Sequence, residues 1–222
     1  MKGIIFEDIG TGERLHSYDD LHLVLLEGKE IGSPEVKKMK IEVQGADSSL
    51  DYTDFFGEPK YEDVTHKFPF ATIVPSTQFL SLYSSIKNAL HGKKKRIILD
   101  DDPLHYFLGR VEVQSFSSSK NIGYVDIECD CEPYKYKLAK TVVSKAVNGT
   151  ANIILINSRK RAVPEVKIAS TGSLRIVYQE FLIWDLGSGS YTLPELELTE
   201  GENVVTVTGT GNITFTWQEG GL

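Results

Sequence analysis

The sequence is poor in the features that mark membrane proteins, disulfide-built domains and most enzymes. It has two cysteines, Cys129 and Cys131. On a strand they share one face, roughly 6–7 Å apart, and that spacing strains a disulfide. No histidine is near them in sequence to complete a metal site, so both read as buried thiols. Uninterrupted apolar runs stop at about four residues, such as Leu23-Val24-Leu25-Leu26, whereas a membrane helix needs about 20. The opening Lys2-Gly3-Ile4-Ile5-Phe6-Glu7-Asp8 lacks the apolar stretch of a secretion signal, so accumulation in a cytoplasm is expected. The five histidines, His16, His22, His66, His91 and His105, form no His-x-x-x-His pair. There is no Gly-x-Ser-x-Gly elbow, no phosphate-binding Gly-x-x-x-x-Gly-Lys-Ser/Thr and no Gly-x-Gly-x-x-Gly. No catalytic residue, metal ligand set or cofactor site is therefore expected. A net charge of −7 disfavours nucleic acid, itself a dense polyanion, and docking on an anionic membrane.

What is present points to strands. Hydrophobic residues make up 41% and charged residues 25%, the balance of a globular chain. Val, Ile, Thr, Tyr, Phe and Gly are plentiful, which favours strands and turns. Ile4-Ile5-Phe6 and Leu21–Leu26 read as strands, the second apolar on both sides and so covered twice. Lys38–Gln44 alternates, with Met39, Ile41 and Val43 on one face, the period of a half-buried strand. Gly45–Ser49 reads as a turn. Asp63–Phe70 reads as a strand, with Pro69 marking an edge or a bulge. Phe79, Leu82, Tyr83, Ile86 and Leu90 form the one helical stripe. It predicts a helix over about 77–91, capped by Ser76 or Thr77 and stopped at Gly92. Ile97–Leu99, Tyr106–Val113 and Gly123–Cys131 are further strands, and Ser115–Asn121 reads as a loop. Glu132–Lys137, with a proline and a charge run, divides the chain into domains at 1–137 and 138–222. Beyond it lie strands at Ile153–Ile156, Val166–Ala169, Leu174–Val177, Phe181–Trp184, Leu196–Leu198, Val204–Thr208 and Ile213–Trp217. Turns between them, such as Gly209–Asn212, have the spacing of a β-sandwich.

Several clusters invite a chemical reading and have a plainer one. Asp100-Asp101-Asp102 reads as a solvated turn before Pro103. Lys93–Arg96 suits a helix end, where the dipole favours cations, and His91 could cap the last carbonyls. Asn148-Gly149-Thr150 and Asn212-Ile213-Thr214 match the glycosylation pattern but read as turns. Tyr178, Trp184, Tyr191 and Trp217 could stack on sugar or contact a partner, although large aromatics in a small sandwich usually fill the core. That gives a carbohydrate-binding module as the alternative reading, and a hydrolase as a third.

Ile86–Lys93, Ile97–Pro103 and Tyr106–Val111 together resemble the distal tail proteins of long-tailed phages and prophages of Gram-positive bacteria. So do Gly3–Phe6 with His16–Leu21, Gly45–Thr53, Cys131–Tyr136 and the stretch from Gly201 through Gly220. The most specific part is Leu90–Val111. Ala46, Ser48 and Val64 depart from the family pattern. The resemblance implies a mainly β fold: an N-terminal β-sandwich or split-barrel-like domain with one helix, then a galectin-like β-sandwich. It implies a virion structural protein of the tail tip, assembled in the host cytoplasm. It would form a ring, a hexamer as a rule, joining the tail tube protein to the tail-tip hub protein and carrying receptor-binding or other baseplate proteins. Open sheet edges offer hydrogen bonds to a neighbour, and a head-to-tail contact closes a ring. Met39, Ile41, Val43, Phe68 and Phe70, on the strands Lys38–Gln44 and Asp63–Phe70, are the candidates for self-association.

Overall fold

A computed structural model of the chain describes residues 3–55, 57–72 and 74–222. The chain is mainly β with one helix and divides into two compact units, Met1–Lys135 with Leu222, and Tyr136–Gly221.

The first unit contains β1 (Ile4–Asp8), β2 (Arg14–His16), β3 (Leu23–Leu25), β4 (Lys40–Ile41), β5 (Leu50–Asp51), β6 (Val64–Thr72), α1 (Phe79–Leu90), β7 (Lys94–Leu99), β8 (Asp102–Ser119) and β9 (Ile122–Lys137) up to Lys135, the last two residues of β9 belonging to the second unit. The main sheet runs β2-β1-β7-β8-β9-β6-β3. Alternation decides which side chains face inward. On β6, Val64, His66, Phe68, Phe70 and Thr72 are buried, while Thr65 and Lys67 are exposed. On β9 the inward set is Val125, Ile127, Cys129 and Cys131. The apolar stripe of α1 covers this core through Phe79, Ile86 and Leu90, with Tyr83 beside Phe116 at 5.7 Å between ring centroids.

Several local expectations meet a different outcome. The helix is entered through a 3₁₀ turn, Ser76–Gln78, and its cap makes no side-chain hydrogen bond. His91 caps the helix through its backbone, whose N–H donates to Lys87 O at 2.9 Å; its side chain is used elsewhere, Nδ1 accepting the Val113 N–H at 3.1 Å, and Lys93 Nζ donates to the Asn88 carbonyl at 2.9 Å. Ser115–Ser119 continues β8 rather than looping, because a hairpin whose faces are both wet tolerates polar residues; the turn is at Lys120, with φ 54°. Among the described residues β3 pairs with β6 alone and ends the sheet; its inward Leu23 is buried while Val24 on the other face is partly exposed, so the second face is incompletely covered. Pro69 sits in β6 where the β3 ladder has ended, and its carbonyl accepts Leu26 N–H at 2.9 Å. Its missing N–H costs no ladder bond there. The turn expected at the three aspartates is present at Asp100 and Asp101, but their carboxylates are engaged: Asp100 accepts Gly3 N–H at 2.6 Å, Asp101 pairs with Lys29, and Asp102 accepts Lys135 at 2.8 Å.

The second unit contains β10 (Thr141–Asn157), β11 (Glu165–Ser170), β12 (Leu174–Tyr178), β13 (Leu182–Leu186), β14 (Gly189–Thr192) and β15 (Gly201–Trp217). β15 is its spine. One edge pairs with β10 from Thr141↔Trp217 to Asn157↔Gly201. The other edge serves β12 through Val205–Thr208 and then β11 through Gly211–Thr216. The turns expected at Asn148–Thr150 and Gly209–Asn212 are therefore mid-strand. Gly149 and Gly209 face each other across the ladder with φ of 94° and 136°. They bend the ribbon where β15 changes partner. A Cβ on Gly209 would lie 2.7 Å from Leu174 Cδ2, so glycine is required by close approach as well as by conformation. Leu196–Leu198 is not a strand, yet Leu196 and Leu198 are buried and Leu198 bridges Ala162.

Glu219 ties this unit together. It is 5% exposed and accepts Lys137 Nζ at 2.7 Å, Ser158 Oγ at 2.6 Å and the Thr141 hydroxyl. Burial alone raises its carboxyl; the hydrogen bonds from Lys137, Ser158 and Thr141 outweigh that and hold it below the ordinary 4.5. A depressed carboxylate contributes stability above its unfolded value and loses it as pH falls through the folded one. Glu219→Gln is expected to lower the urea midpoint of the unit at pH 7. The gap between variant and parent should narrow at pH 3.5. A gap that is the same at both values would separate Glu219 from the acid sensitivity.

Candidate functional site: an uncovered β-arm

Between β3 and β6 the chain leaves the main sheet and returns. The outgoing and incoming segments are tied by backbone bonds at several levels. Glu30 and Lys67 exchange two bonds of 2.9 Å. Lys37 N–H donates to Lys60 O at 2.7 Å, and Glu62 N–H to Glu35 O at 2.8 Å. Farther out, β4 pairs with β5, Lys40 opposite Asp51 and Ile41 opposite Leu50. Tyr52 N–H donates to Met39 O at 2.7 Å, and Ala46 N–H closes the turn on Val43 O at 3.1 Å. The Thr53 hydroxyl and amide hold the Asp51 carboxyl below its usual range.

The alternation on Lys38–Gln44 does not produce a half-buried strand. Met39, Ile41 and Val43 are 50%, 48% and 44% exposed. The partner strand is only Leu50–Asp51, and this two-stranded sheet joins no other among the described residues, so neither face is covered. A lone two-stranded hairpin is marginally stable in water, and alternating apolar side chains on one face are what a covering surface would bury. Leu50 at 50% and Phe55 at 68% exposure add to the apolar surface. Both were missed in the sequence. Leu50 stands alone between polar residues, so no periodicity marks it; its role comes from facing Ile41 across the arm.

The other candidates lie elsewhere. Phe68 and Phe70 are 0% and 1% exposed, on the inward face of β6. They are core residues and not part of a contact surface, because the same alternation that brings them together turns them under the sheet. Tyr178 and Trp217 are also buried and offer no ring face to a sugar. The Tyr178 hydroxyl lies 2.9 Å from Asn203 Oδ1 and 3.0 Å from Glu197 O, an internal bonding role. Trp184 and Tyr191 are half-buried and pack on the same core. The second unit instead exposes apolar residues that periodicity hid, since Ile153–Ile156 is apolar on both faces. Ile154 faces Val204 across the ladder, and Ile156, Val204, Phe181 and Ile183 are all exposed.

Cys129 and Cys131 are free and buried. Burial pushes the Cys131 thiol up to about 12, and the neighbouring Asp130 and Glu132 add to it, which keeps it protonated and unreactive. Among the described residues no three His, Cys, Asp or Glu side chains are grouped to hold a metal ion, and no helix is long and apolar enough to cross a membrane.

No family model matches the sequence, and no curated protein matches it. Solved structures do. The crystal structure of SPP1 Dit (gp 19.1), presented as a paradigm of the hub adsorption apparatus in phages infecting Gram-positive bacteria, is similar with a TM-score of 0.65. The match covers 98% of this chain and 99% of that one at 12% sequence identity. From end to end, the chain has a Dit-like fold.

Proposed function

We propose that the chain is a structural protein of a phage or prophage tail tip, without catalytic activity, whose work is to bind copies of itself and other tail proteins. Copies join head to tail through the arm of the first unit and close into a hexameric ring. The ring joins the tail tube protein to the tail-tip hub protein. The second unit, a galectin-like sandwich, faces outward, and its exposed Ile154, Ile156, Val204, Phe181 and Ile183 receive a receptor-binding or other baseplate protein. The uncovered arm carries this reading: a marginal hairpin with alternating apolar side chains in water gains order and buries surface only against a neighbour. The Dit-like fold supports it. An acidic balance suits a structure that DNA must pass without being held.

Light scattering of the purified chain at rising concentration tests the reading, with negative-stain imaging of the same samples. Particles of six times the 24.8 kDa chain mass, seen as rings, are expected as concentration rises. A chain that stays monomeric throughout, alone and when mixed with tail tube and hub proteins, would end it.

A further inference from the structure

The arm meets the body of the first unit over a cavity of about 290 Å³. Ile31, Gly32, Ser33 and Pro34 of the outgoing segment form one wall, and His66, Phe107 and Lys135 help form the rest. Gly32 lies flush on β6: a Cβ there would be 2.6 Å from Val64 Cγ2 and 2.7 Å from Thr65 O. Its N–H donates to His66 Nδ1 at 3.1 Å. This tie is made by a titratable side chain, as is the Lys29–Asp101 pair at the start of the outgoing segment.

His66 is 1% exposed, and its ring lies 4.3 Å from that of Phe107 between centroids. Because Nδ1 accepts, the ring is neutral and its proton is on Nε2, which has no partner among the described residues. A second proton has only Nδ1 to go to. It would take away the acceptor of Gly32 and place a charge in an apolar cavity. No side chain among the described residues pairs with Nε2, although Lys135 and Leu222 also line the cavity. From β9, Cys129 faces His66 across the ladder as a thiol that burial keeps neutral. Lys135, also from β9, is a cation whose ammonium rests on Asp102 at 2.8 Å. From β8, Asp102 is shared with His105 Nδ1 at 2.7 Å. Lys67 and Glu128, paired at 3.8 Å, lie on the outer face, as does the exposed Thr65. The outgoing segment places only Gly32, Ile31, Ser33 and Pro34 here.

We propose that His66 is an acid-sensitive latch for the arm: neutral, it holds the arm root on β6 through Gly32; protonated, it lets the root lift. The latch concerns the arm itself, and its consequence for assembly rests on the arm being the contact between copies. Burial lowers the tendency of closed His66 to take a proton, whereas the lifted state leaves it in water near its ordinary value of about 6.5. The closed form is favoured above that value. As pH falls below it the opening constant rises, by about tenfold per pH unit, until the closed form also takes the proton.

Hydrogen–deuterium exchange on the full chain reads this directly. After correction for intrinsic exchange, peptides covering 30–37 and 60–66 should lose about fivefold in protection between pH 6.5 and 5.5, relative to β15. His66→Asn places an acceptor near the position of Nδ1 and does not titrate, so its profile should be flat. Equal protection at both pH values in the parent, or the same slope in the variant, overturns the latch. NMR of the unmodified chain gives a reading that does not depend on a variant. Protonation of His66 and a change in the Gly32 amide should share one midpoint; His66 titrating with Gly32 unmoved overturns the latch. Particle mass is followed in the same samples. Opening accompanied by dissociation supports both readings, and opening with mass unchanged supports the latch while removing the arm as the contact.

Discussion

Replacing Met39, Ile41 and Val43 together by serine leaves a folded chain that no longer associates with itself. All three side chains are about half exposed in the single chain, so the folded state loses little when they are cut back. Exposed positions away from caps and networks usually change stability within about 0.5 kcal/mol. In the proposed ring they are covered. Burying a Val, Ile or Met side chain contributes about 1.5–3 kcal/mol when complete, and here about half of that area remains to be buried. The three together then account for roughly 2–4 kcal/mol, or about thirtyfold to a thousandfold in the dissociation constant. Sedimentation equilibrium of parent and variant checks the shift, and thermal unfolding checks that the fold is unchanged. Unaltered association in a folded variant would move the contact off the arm.

Phe68→Ala is expected to do the opposite. Phe68 is fully buried on β6 and faces the core formed with Ile127 and Phe70. Truncating a buried phenylalanine costs about 3–5 kcal/mol through lost burial and the cavity left behind, a large share of the stability of a single domain. The urea midpoint of the first unit should fall steeply, while the second unit, with a separate core, keeps its own. A variant that lost association but kept its midpoint would put Phe68 back among the contact residues, against its position under the sheet.

The contrast between these two positions shows how far the sequence was legible. Alternation told which residues share a face on Met39–Val43 and on Phe68–Phe70. It did not tell whether that face is covered, because coverage is set by elements distant in sequence. β6 lies between β9 and β3 and over a core; β4 has only β5. The helix was legible because a 3.6-residue stripe needs no partner to be recognised. The long strands β8 and β15 were not: polar residues at Ser117–Ser119 and glycines at Gly209 and Gly211 look like breaks, and only the opposing strand turns them into ladder positions. Tyr178 and Trp217 were legible as core aromatics or as sugar platforms, and composition does not choose between these. The apolar outer face around Ile154 and Val204 was hidden because a doubly apolar strand reads as a doubly buried one. Gly32 and His66 carried no signal at all, since the cavity between them is made by packing.

The order of strands in the second unit has a consequence for how it is made. β15, which alone connects β10, β11 and β12, is also the last long strand in sequence. During synthesis, β10 to β14 emerge before the segment that pairs them. They must wait with their β15-facing edges open, joined only by the β12–β13 hairpin and the β11–β14 pairing, and contacts between such distant segments form slowly. The helix and the β7–β8–β9 meander of the first unit lie close together in sequence and are complete earlier. Biogenesis is therefore sequential, and the interval before β15 arrives is when the nascent chain is most exposed to wrong partners and to chaperones.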